Sequence, residues 1–414
     1  MIKRDAYLQK LIDRKENGAI KVVTGIRRSG KSFLLFDIYR DHLLDEGVSA
    51  DNIILIDLDS DTFEHLRDRK LLREHIESKI VNDNTHYLVI DEIQLCEGFE
   101  ALLNGLNRNR KLDIYVTGSN SKFLSSDVIT EFRGRGDEIR VRPLSFSEFY
   151  QVAGTDFPEA WKAYYTYGGL PMILSKKSDE EKAAYLDQLL HYTYLKDIVE
   201  RNNLGRDEVM ETLMRVLASS IGSLNNPKKI SDTFRSKGTK TSDVTIKKYI
   251  DHLTEAFIIS KAERYDVKGR KYISTPSKHY YTDIGLRNAL LNFRQQEENH
   301  IMENIIYNEL LYRGFRVDVG LVGARESVGG KMTYKQLEVD FICHKGHDKI
   351  YIQSAYMMPD EEKRNQEERP LVMIDDSFKK VIIVREDIKA WRNENGTLIM
   401  GLKDFLLDTN GLEP

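Results

Sequence analysis

The sequence predicts an α/β fold that begins with a parallel sheet covered by helices on both faces. Three observations carry this. Short apolar runs recur at residues 19–24, 53–58, 87–90 and 113–116, each followed by a stretch of helical rather than alternating periodicity. The first run leads directly into a glycine-rich turn over residues 25–32. At 41% hydrophobic and 31% charged residues in 414 positions, the chain has globular composition and enough length for two or three cores.

Taken in order, MIKRDAYLQKLIDRKENG has the spacing of a charged amphipathic helix and lacks the apolar centre and small-residue cleavage site of a secretory signal. Ser32 opens a second helix, FLLFDIYRDHLLDEG, and with the four runs this makes residues 1–142 one α/β unit. Residues 143–205 are mostly helical, broken at Gly168-Gly169-Leu170-Pro171, and are expected to form a small lid. Over 206–283 the helices EVMETLMRVLASSI, KKISDTFRSKG and SDVTIKKYIDHLTEAFII precede the strands ISKAERYD and KYISTPSKHYYT, joined by Val267-Lys268-Gly269-Arg270. This is the order of a winged helix-turn-helix module. Residues 284–414 run from the helix HIMENIIYNELLYRG through FRVDVGLV, QLEVDFICHK, KIYIQSAY, a helix near 361–375 and the strand KVIIV, and are expected to form a separate α/β domain.

No apolar run approaches the length of a membrane span, so no membrane partner is expected and the cytoplasm is the expected location. The two cysteines, Cys96 and Cys343, are too few for a disulfide framework or a cysteine metal site. Net charge is −4 overall, but residues 227–279 hold thirteen Lys/Arg against six Asp/Glu, a local +7 that leaves the rest of the chain at −11. Such asymmetry points to a polyanionic partner for that segment.

The chemistry concentrates in the turn. Gly25-Ile26-Arg27-Arg28-Ser29-Gly30-Lys31-Ser32, with Phe33 behind it, fits G-x-x-x-x-G-K-[ST] between a strand and a helix. Its glycines let backbone N–H groups turn towards phosphates, Lys31 reaches the β and γ oxygens, and the Ser32 hydroxyl can ligate Mg²⁺. Downstream, Tyr87-Leu88-Val89-Ile90-Asp91-Glu92 is an apolar strand ending in two acids: Asp91 placed for the Mg²⁺ shell, Glu92 for the attacking water. The next strand ends in Thr117-Gly118-Ser119-Asn120, from which Ser119 or Asn120 could reach the γ-phosphate; a turn-forming role is the competing reading. Arg133 and Arg135 in FRGRG could stabilise γ-phosphate charge in their own subunit or in a neighbour's, which makes a homo-oligomer one of the expected states.

The series GIRRSGKS, YLVIDEIQ, TGSNSKFL, FRGRGDEIRVRPLSFSEF, YGGLP and YLKDIVERN resembles the prokaryotic AAA+ ATPases joined to a C-terminal domain of unknown function, relatives of the archaeal-type signal-transducing ATPases. The resemblance implies an AAA+ fold, Asp91 and Glu92 as the Walker B acids to the Walker A loop, Ser119 or Asn120 as the first sensor, and Gly169-Leu170-Pro171 as a lid motif with Pro171 near the adenine.

In the basic segment Thr245, Lys247 and Lys248 lie on the expected recognition helix and Lys268, Arg270 and Lys271 on the wing, where they can contact phosphates and base edges of double-stranded or branched DNA. A solvated basic face on a protein-packing module is the alternative. In the last domain the order of Glu303, Asp340 and the strand Tyr351-Ile352-Gln353-Ser354-Ala355 resembles the restriction-endonuclease-like PD-(D/E)xK core. Gln353 stands in place of its second acid and Ala355 in place of its lysine, so no cleavage is expected unless Lys349 on the same strand substitutes. The whole predicts a Mg²⁺-dependent ATPase that is DNA-associated and uses nucleotide state to reorient its C-terminal modules. A signal-transducing switch or protein-interaction scaffold without DNA binding is the second reading.

Overall fold

The structure, a computed structural model, describes residues 2–118, 132, 134–202, 208–295, 297–328, 331–408 and 411–412. Two compact units emerge, Met1–Pro143 with Glu255–Phe257, and Leu144–Thr254 with Ile258–Pro414.

In the first unit the expected runs form β1 (Ile20–Thr24), β2 (Ile53–Asp57), β3 (His86–Asp91) and β4 (Leu112–Gly118), joined by β5 (Gly136–Arg140), which the sequence reading did not anticipate. All pairings are parallel, in the order β2-β3-β4-β1-β5. Strand β5 was hidden because GDEIR is polar and half exposed, with only Ile139 buried. The core is the set of inward residues Val22, Ile56, Leu88, Ile90 and Val116 packed by Leu72, Ile76, Leu102 and Leu103 from the helices Arg69–Ser78 and Phe99–Leu106. The helix after the glycine-rich turn runs Lys31–Phe33, loosens into a π-helical turn over Leu34–Tyr39 and resumes at Arg40–Asp45. Its Tyr39 hydroxyl meets that of Tyr115, which donates to Asp113, itself paired with the buried Lys21.

The second unit opens with the helices Phe146–Ala153 and Phe157–Tyr167, a 3₁₀ turn Pro171–Ser175, and a long helical run from Asp179 to Arg201. Ser145 and Glu148 form a reciprocal capping box at the first of these. The helices Glu208–Ser219, Pro227–Ser236 and Asp243–Glu255 follow, with β6 (Leu224–Asn225) between the first two, then β7 (Ile259–Asp266) and β8 (Lys271–Tyr281). Helix, turn, helix and two-stranded hairpin thus occur in the expected order.

The expected break at residue 283 is not one. β9 (Arg316–Val328), β10 (Lys331–Lys345), β11 (Asp348–Ala355), β12 (Lys379–Val384), β13 (Trp391–Arg392) and β14 (Leu398–Gly401) continue the same sheet, in the order β13-β14-β12-β11-β10-β9-β7-β8-β6. The seam is a parallel pairing of β7 with β9, Tyr265 opposite Gly320. A backbone ladder leaves no composition signal, so nothing in the sequence marks this pairing between the expected winged-helix module and the expected α/β domain. The helix Glu298–Tyr312 lies against β8, where the Asn304 amide exchanges both hydrogen bonds with the Tyr281 main chain at 2.8 Å.

Candidate nucleotide site

Parallel pairing puts the carboxyl ends of β1, β3 and β4 along one edge, with Thr24 opposite Gly118 and Ile90 opposite Val116. Ligands of open α/β sheets bind at that edge. The glycine-rich turn leaves β1 there. Gly25 has φ +138°, and a Cβ on it would collide with the Val141 carbonyl oxygen. Gly30 (φ +92°) and Arg28 (φ +64°) are also left-handed, curling the loop so that the helix starts at Lys31. Ile26 and Ser29 are buried, Arg27 is half-buried, and Arg28, Ser32 and Phe33 face solvent.

The Lys31 ammonium folds back over the loop, donating to the Gly25 carbonyl at 3.1 Å and the Ile26 carbonyl at 3.3 Å. Burial lowers its pKa, against the pull of Glu92 and Asp91. Ser32 Oγ donates to Asp91 Oδ2 at 2.6 Å, and the Thr117 hydroxyl donates to Asp91 Oδ1. Burial raises the Asp91 carboxyl, opposed by those two hydrogen bonds. The next backbone N–H, that of Glu92, donates to Thr117 Oγ1 at 3.1 Å, and Gln94 donates to the Glu92 carboxylate. Glu92 has φ +50°, a left-handed turn that ends the strand and aims its side chain differently from that of Asp91.

Whether these groups suit a nucleotide and Mg²⁺ is answered by what they leave unsatisfied. The Ser29 hydroxyl is buried without a hydrogen-bond partner among the described residues, a donor suited to a phosphate oxygen. Ser32 and Asp91 are in contact and present hard oxygen ligands of the kind Mg²⁺ takes. Thr117 is the residue that sequence reasoning passed over; a threonine after the apolar run Ile114-Tyr115-Val116 was the available signal.

Other expected residues are placed differently. Ser119, Asn120 and Arg133 lie outside the described residues. Arg135 is exposed, and its carbonyl accepts from Ile20 N at 2.8 Å, at the amino end of β1. β1 separates it from the loop by five residues, about 16 Å of strand, beyond an arginine's reach.

Pro171 lies in the second unit, where its segment is clamped from behind. Asp283, buried, accepts from Gly169 N at 2.8 Å and Leu286 N at 3.1 Å, with further backbone donors from Gly285 and Leu170. Burial pushes its carboxyl up to about 6 in spite of these bonds. Asn288 Nδ2 closes the preceding helix by donating to the Tyr165 and Thr166 carbonyls, each at 2.9 Å. Gly168 (φ +76°) has no room for a Cβ beside the Asp283 carboxylate.

Among the residues expected at DNA, Lys247 and Lys248 are exposed on the helix Asp243–Glu255, whose Ile246, Tyr249, Ile250 and Leu253 face the core. Thr245 is half-buried, its hydroxyl 2.9 Å from that of Ser242, and Lys268, Arg270 and Lys271 are exposed at the β7–β8 hairpin. In the last strands a bulge between Val339 and Ile342 turns Asp340 so that its backbone N–H donates to Gln353 Oε1 at 3.4 Å and its carboxylate accepts from Ser354 N at 2.8 Å. Glu303 joins this group, but the ammonium at its centre comes from β8: Lys278 lies 2.9 Å from Glu303, 2.7 Å from Glu338 and 3.7 Å from Asp340. Lys349, the substitute considered, instead pairs with Asp376 at 3.7 Å. Burial works to lower the Lys278 pKa, yet the surrounding carboxylates outweigh it and raise it; burial and Glu303 raise that of Asp340. No group of three or more His, Cys, Asp or Glu suited to a metal occurs among the described residues. Both cysteines are buried and free. No helix among the described residues is long and apolar enough to cross a membrane.

Comparison with known proteins bears on the same regions. Residues 17–150 match the AAA domain family, and residues 158–297 match a domain of unknown function. An uncharacterised protein of Haemophilus influenzae is 35% identical over 390 residues, covering 92% of this chain and 93% of the relative. An uncharacterised protein of Methanocaldococcus jannaschii is 28% identical over 382 residues, covering 88% and 80%. Among solved structures, the Aeropyrum pernix ORC1 protein in complex with DNA aligns at a TM-score of 0.29 and 11% identity, covering 70% of this chain and 93% of that one. AMPPCP-bound DnaA from Aquifex aeolicus aligns at 0.28 and 13%, covering 61% and 88%.

Proposed function

Because the chain belongs to one family with the Haemophilus influenzae protein and carries an AAA domain at residues 17–150, we propose that it binds and hydrolyses ATP with Mg²⁺ and uses the nucleotide state to reorient its C-terminal modules on DNA. One observation carries the ATPase reading: Ser32 of the loop and Asp91 of β3 meet at 2.6 Å, with Lys31 folded over the same turn. In this reading the backbone of Gly25 to Ser32 cradles the phosphates, and Lys31 and the orphaned Ser29 hydroxyl bind their oxygens. Ser32 and Asp91 hold the Mg²⁺, which supplies charge neutralisation at the phosphates when bound. Glu92, restrained by Gln94 and Thr117, orients the water and accepts its proton. In this reading Ser119 or Asn120 serves as the first sensor, and Pro171 is the proline of the lid motif.

DNA association rests on the exposed Lys247, Lys248, Lys268, Arg270 and Lys271 of a winged helix. The second reading, a signal-transducing switch or interaction scaffold, is favoured by one specific observation: the wing strands are built into the larger sheet through β9 and so already serve as a packing surface. Turnover measured with and without double-stranded and branched DNA separates the two. Stimulation is expected, together with salt-dependent binding whose log–log slope falls by about 0.9 for each phosphate contact removed in Lys247→Glu, Lys248→Glu, Arg270→Glu and Lys271→Glu. Turnover indifferent to DNA, or an unchanged slope in the variant carrying all of these changes, would move the assignment to the scaffold.

A further inference from the structure

One end of the nine-stranded sheet gathers cations from several strands that are distant in sequence. β10 ends at Lys345, β11 carries Lys349 next to its start, β12 begins at Lys379, and Arg392 of β13 pairs with Leu398 at the start of β14. The four line a cavity of about 920 Å³ that also holds His347, Phe315 and Phe378, against a single lining carboxylate among the described residues, Asp348. Its volume falls within the range of small-molecule sites.

The arrangement is crowded rather than neutralised. Lys349 is 3.7 Å from Asp376, but that carboxylate also accepts from the Tyr351 hydroxyl at 2.6 Å. Lys345 rests 5.6 Å from the Phe315 ring centre, and Arg392 donates to the Gly396 carbonyl at 2.9 Å; neither has a carboxylate partner among the described residues. Lys379 donates to the Leu412 carbonyl at 3.1 Å, while burial and the neighbouring Arg392 lower its pKa. A multiply charged anion relieves such crowding. Phe378, with 41% of its surface exposed and Lys349 4.8 Å from its ring centre, offers a flat apolar surface beside the charges.

We propose that this cavity binds a phosphate-bearing ligand the size of a mononucleotide, with the phosphate among Lys345, Lys349, Lys379 and Arg392 and a flat group against Phe378. Cations together with an aromatic platform match a nucleotide better than an acidic peptide, whose carboxylates need no ring surface. The site is separate from the wing. β7 runs parallel to β9 with Asp266 opposite Leu321, so the hairpin after Asp266 continues towards Val328, whereas the cavity lies at the Phe315 end. It is also independent of the nucleotide loop, because a nucleoside monophosphate lacks the β-phosphate that Lys31 is positioned to hold.

The test is isothermal titration of the full chain with AMP and UMP, and with a thymidine tetranucleotide with and without a 5′-phosphate. The variants are Lys345→Glu with Arg392→Glu, both at exposed positions, and separately Phe378→Ala. Saturable monophosphate binding that weakens at least about tenfold in the double variant is expected, with the thermal midpoint of the protein unchanged. If the 5′-phosphorylated strand binds more tightly than the monophosphates and is lost in the same variant, the ligand is a strand end; if the monophosphates bind as tightly or better, it is a free nucleotide. Equal binding of the unphosphorylated strand, tighter binding of a glutamate-rich peptide, or monophosphate binding indifferent to both variants would overturn the proposal, as would no binding at all.

Discussion

Asp283 is a buried carboxylate ringed by backbone N–H groups, and its replacement by asparagine has a calculable effect on stability. Its carboxyl is raised from an ordinary 3.8 to about 6 by burial. A tenfold difference in proton affinity is worth about 1.4 kcal/mol, so ionisation inside the fold costs on the order of 3 kcal/mol. The sign follows from the direction. The folded chain holds this proton more tightly than the unfolded one, so its contribution is complete below pH 3.8 and is lost as pH rises through about 6. An asparagine side chain does not titrate. In its place it would keep one acceptor oxygen for donors from Gly169, Leu170, Gly285 and Leu286, at a roughly pH-independent cost of about 1–3 kcal/mol per donor left unpaired. The stability of the natural chain relative to Asp283→Asn should therefore fall by about 2 kcal/mol between pH 4 and pH 7. Urea unfolding followed by tryptophan emission reads this unit, because Trp161 and Trp391 are the two tryptophans of the chain and both lie within it. Parallel stability curves for the two proteins across that pH range would refute the buried, titrating clamp.

Other outcomes follow from the sites already described. Lys31→Ala should abolish tight ATP binding, whereas Glu92→Gln should bind ATP and fail to release phosphate; normal turnover in the latter would remove Glu92 from the mechanism. Lys278→Met should destabilise the second unit by about 3–5 kcal/mol, since it strands buried carboxylates, and adding Glu303→Gln should recover part of the loss in the same urea assay. The natural protein should leave plasmid, linear and branched DNA intact in Mg²⁺ or Mn²⁺, and metal-dependent cleavage that disappears in Asp340→Ala would show the opposite.

Much of this architecture was legible because its signals are local. The strand runs of the first unit, the turn from Gly25 to Ser32 and the acids after Ile90 announce themselves through hydrophobicity and glycine spacing. What escaped depends on partners remote in sequence. β5 is a strand through its register with β1, not through its own polar residues. Thr117 matters through Asp91, and Asp283 through Gly169, with 114 residues between the last two. Lys278 was counted among the basic residues of the wing segment, yet it is 2% exposed and neutralises acids from two other elements, the helix of Glu303 and the strand of Glu338 and Asp340. Charge counted along a chain does not distinguish a solvated lysine from a buried one.

The seam between β7 and β9 makes the β7–β8 hairpin one end of a lever. Gly320, opposite Tyr265, is packed so closely against Val339 that no side chain fits, and the ladder on either side joins Arg264 to Val319 and Asp266 to Leu321. Backbone hydrogen bonds in series are stiff, so a load applied at the hairpin tip is carried through successive strands towards Trp391 instead of being dissipated in a linker. Twisting the helices after Glu208 independently of the strands beyond Arg316 would require unzipping that ladder. Torque from a partner held at the hairpin would therefore reach the cation-lined end of the sheet undivided.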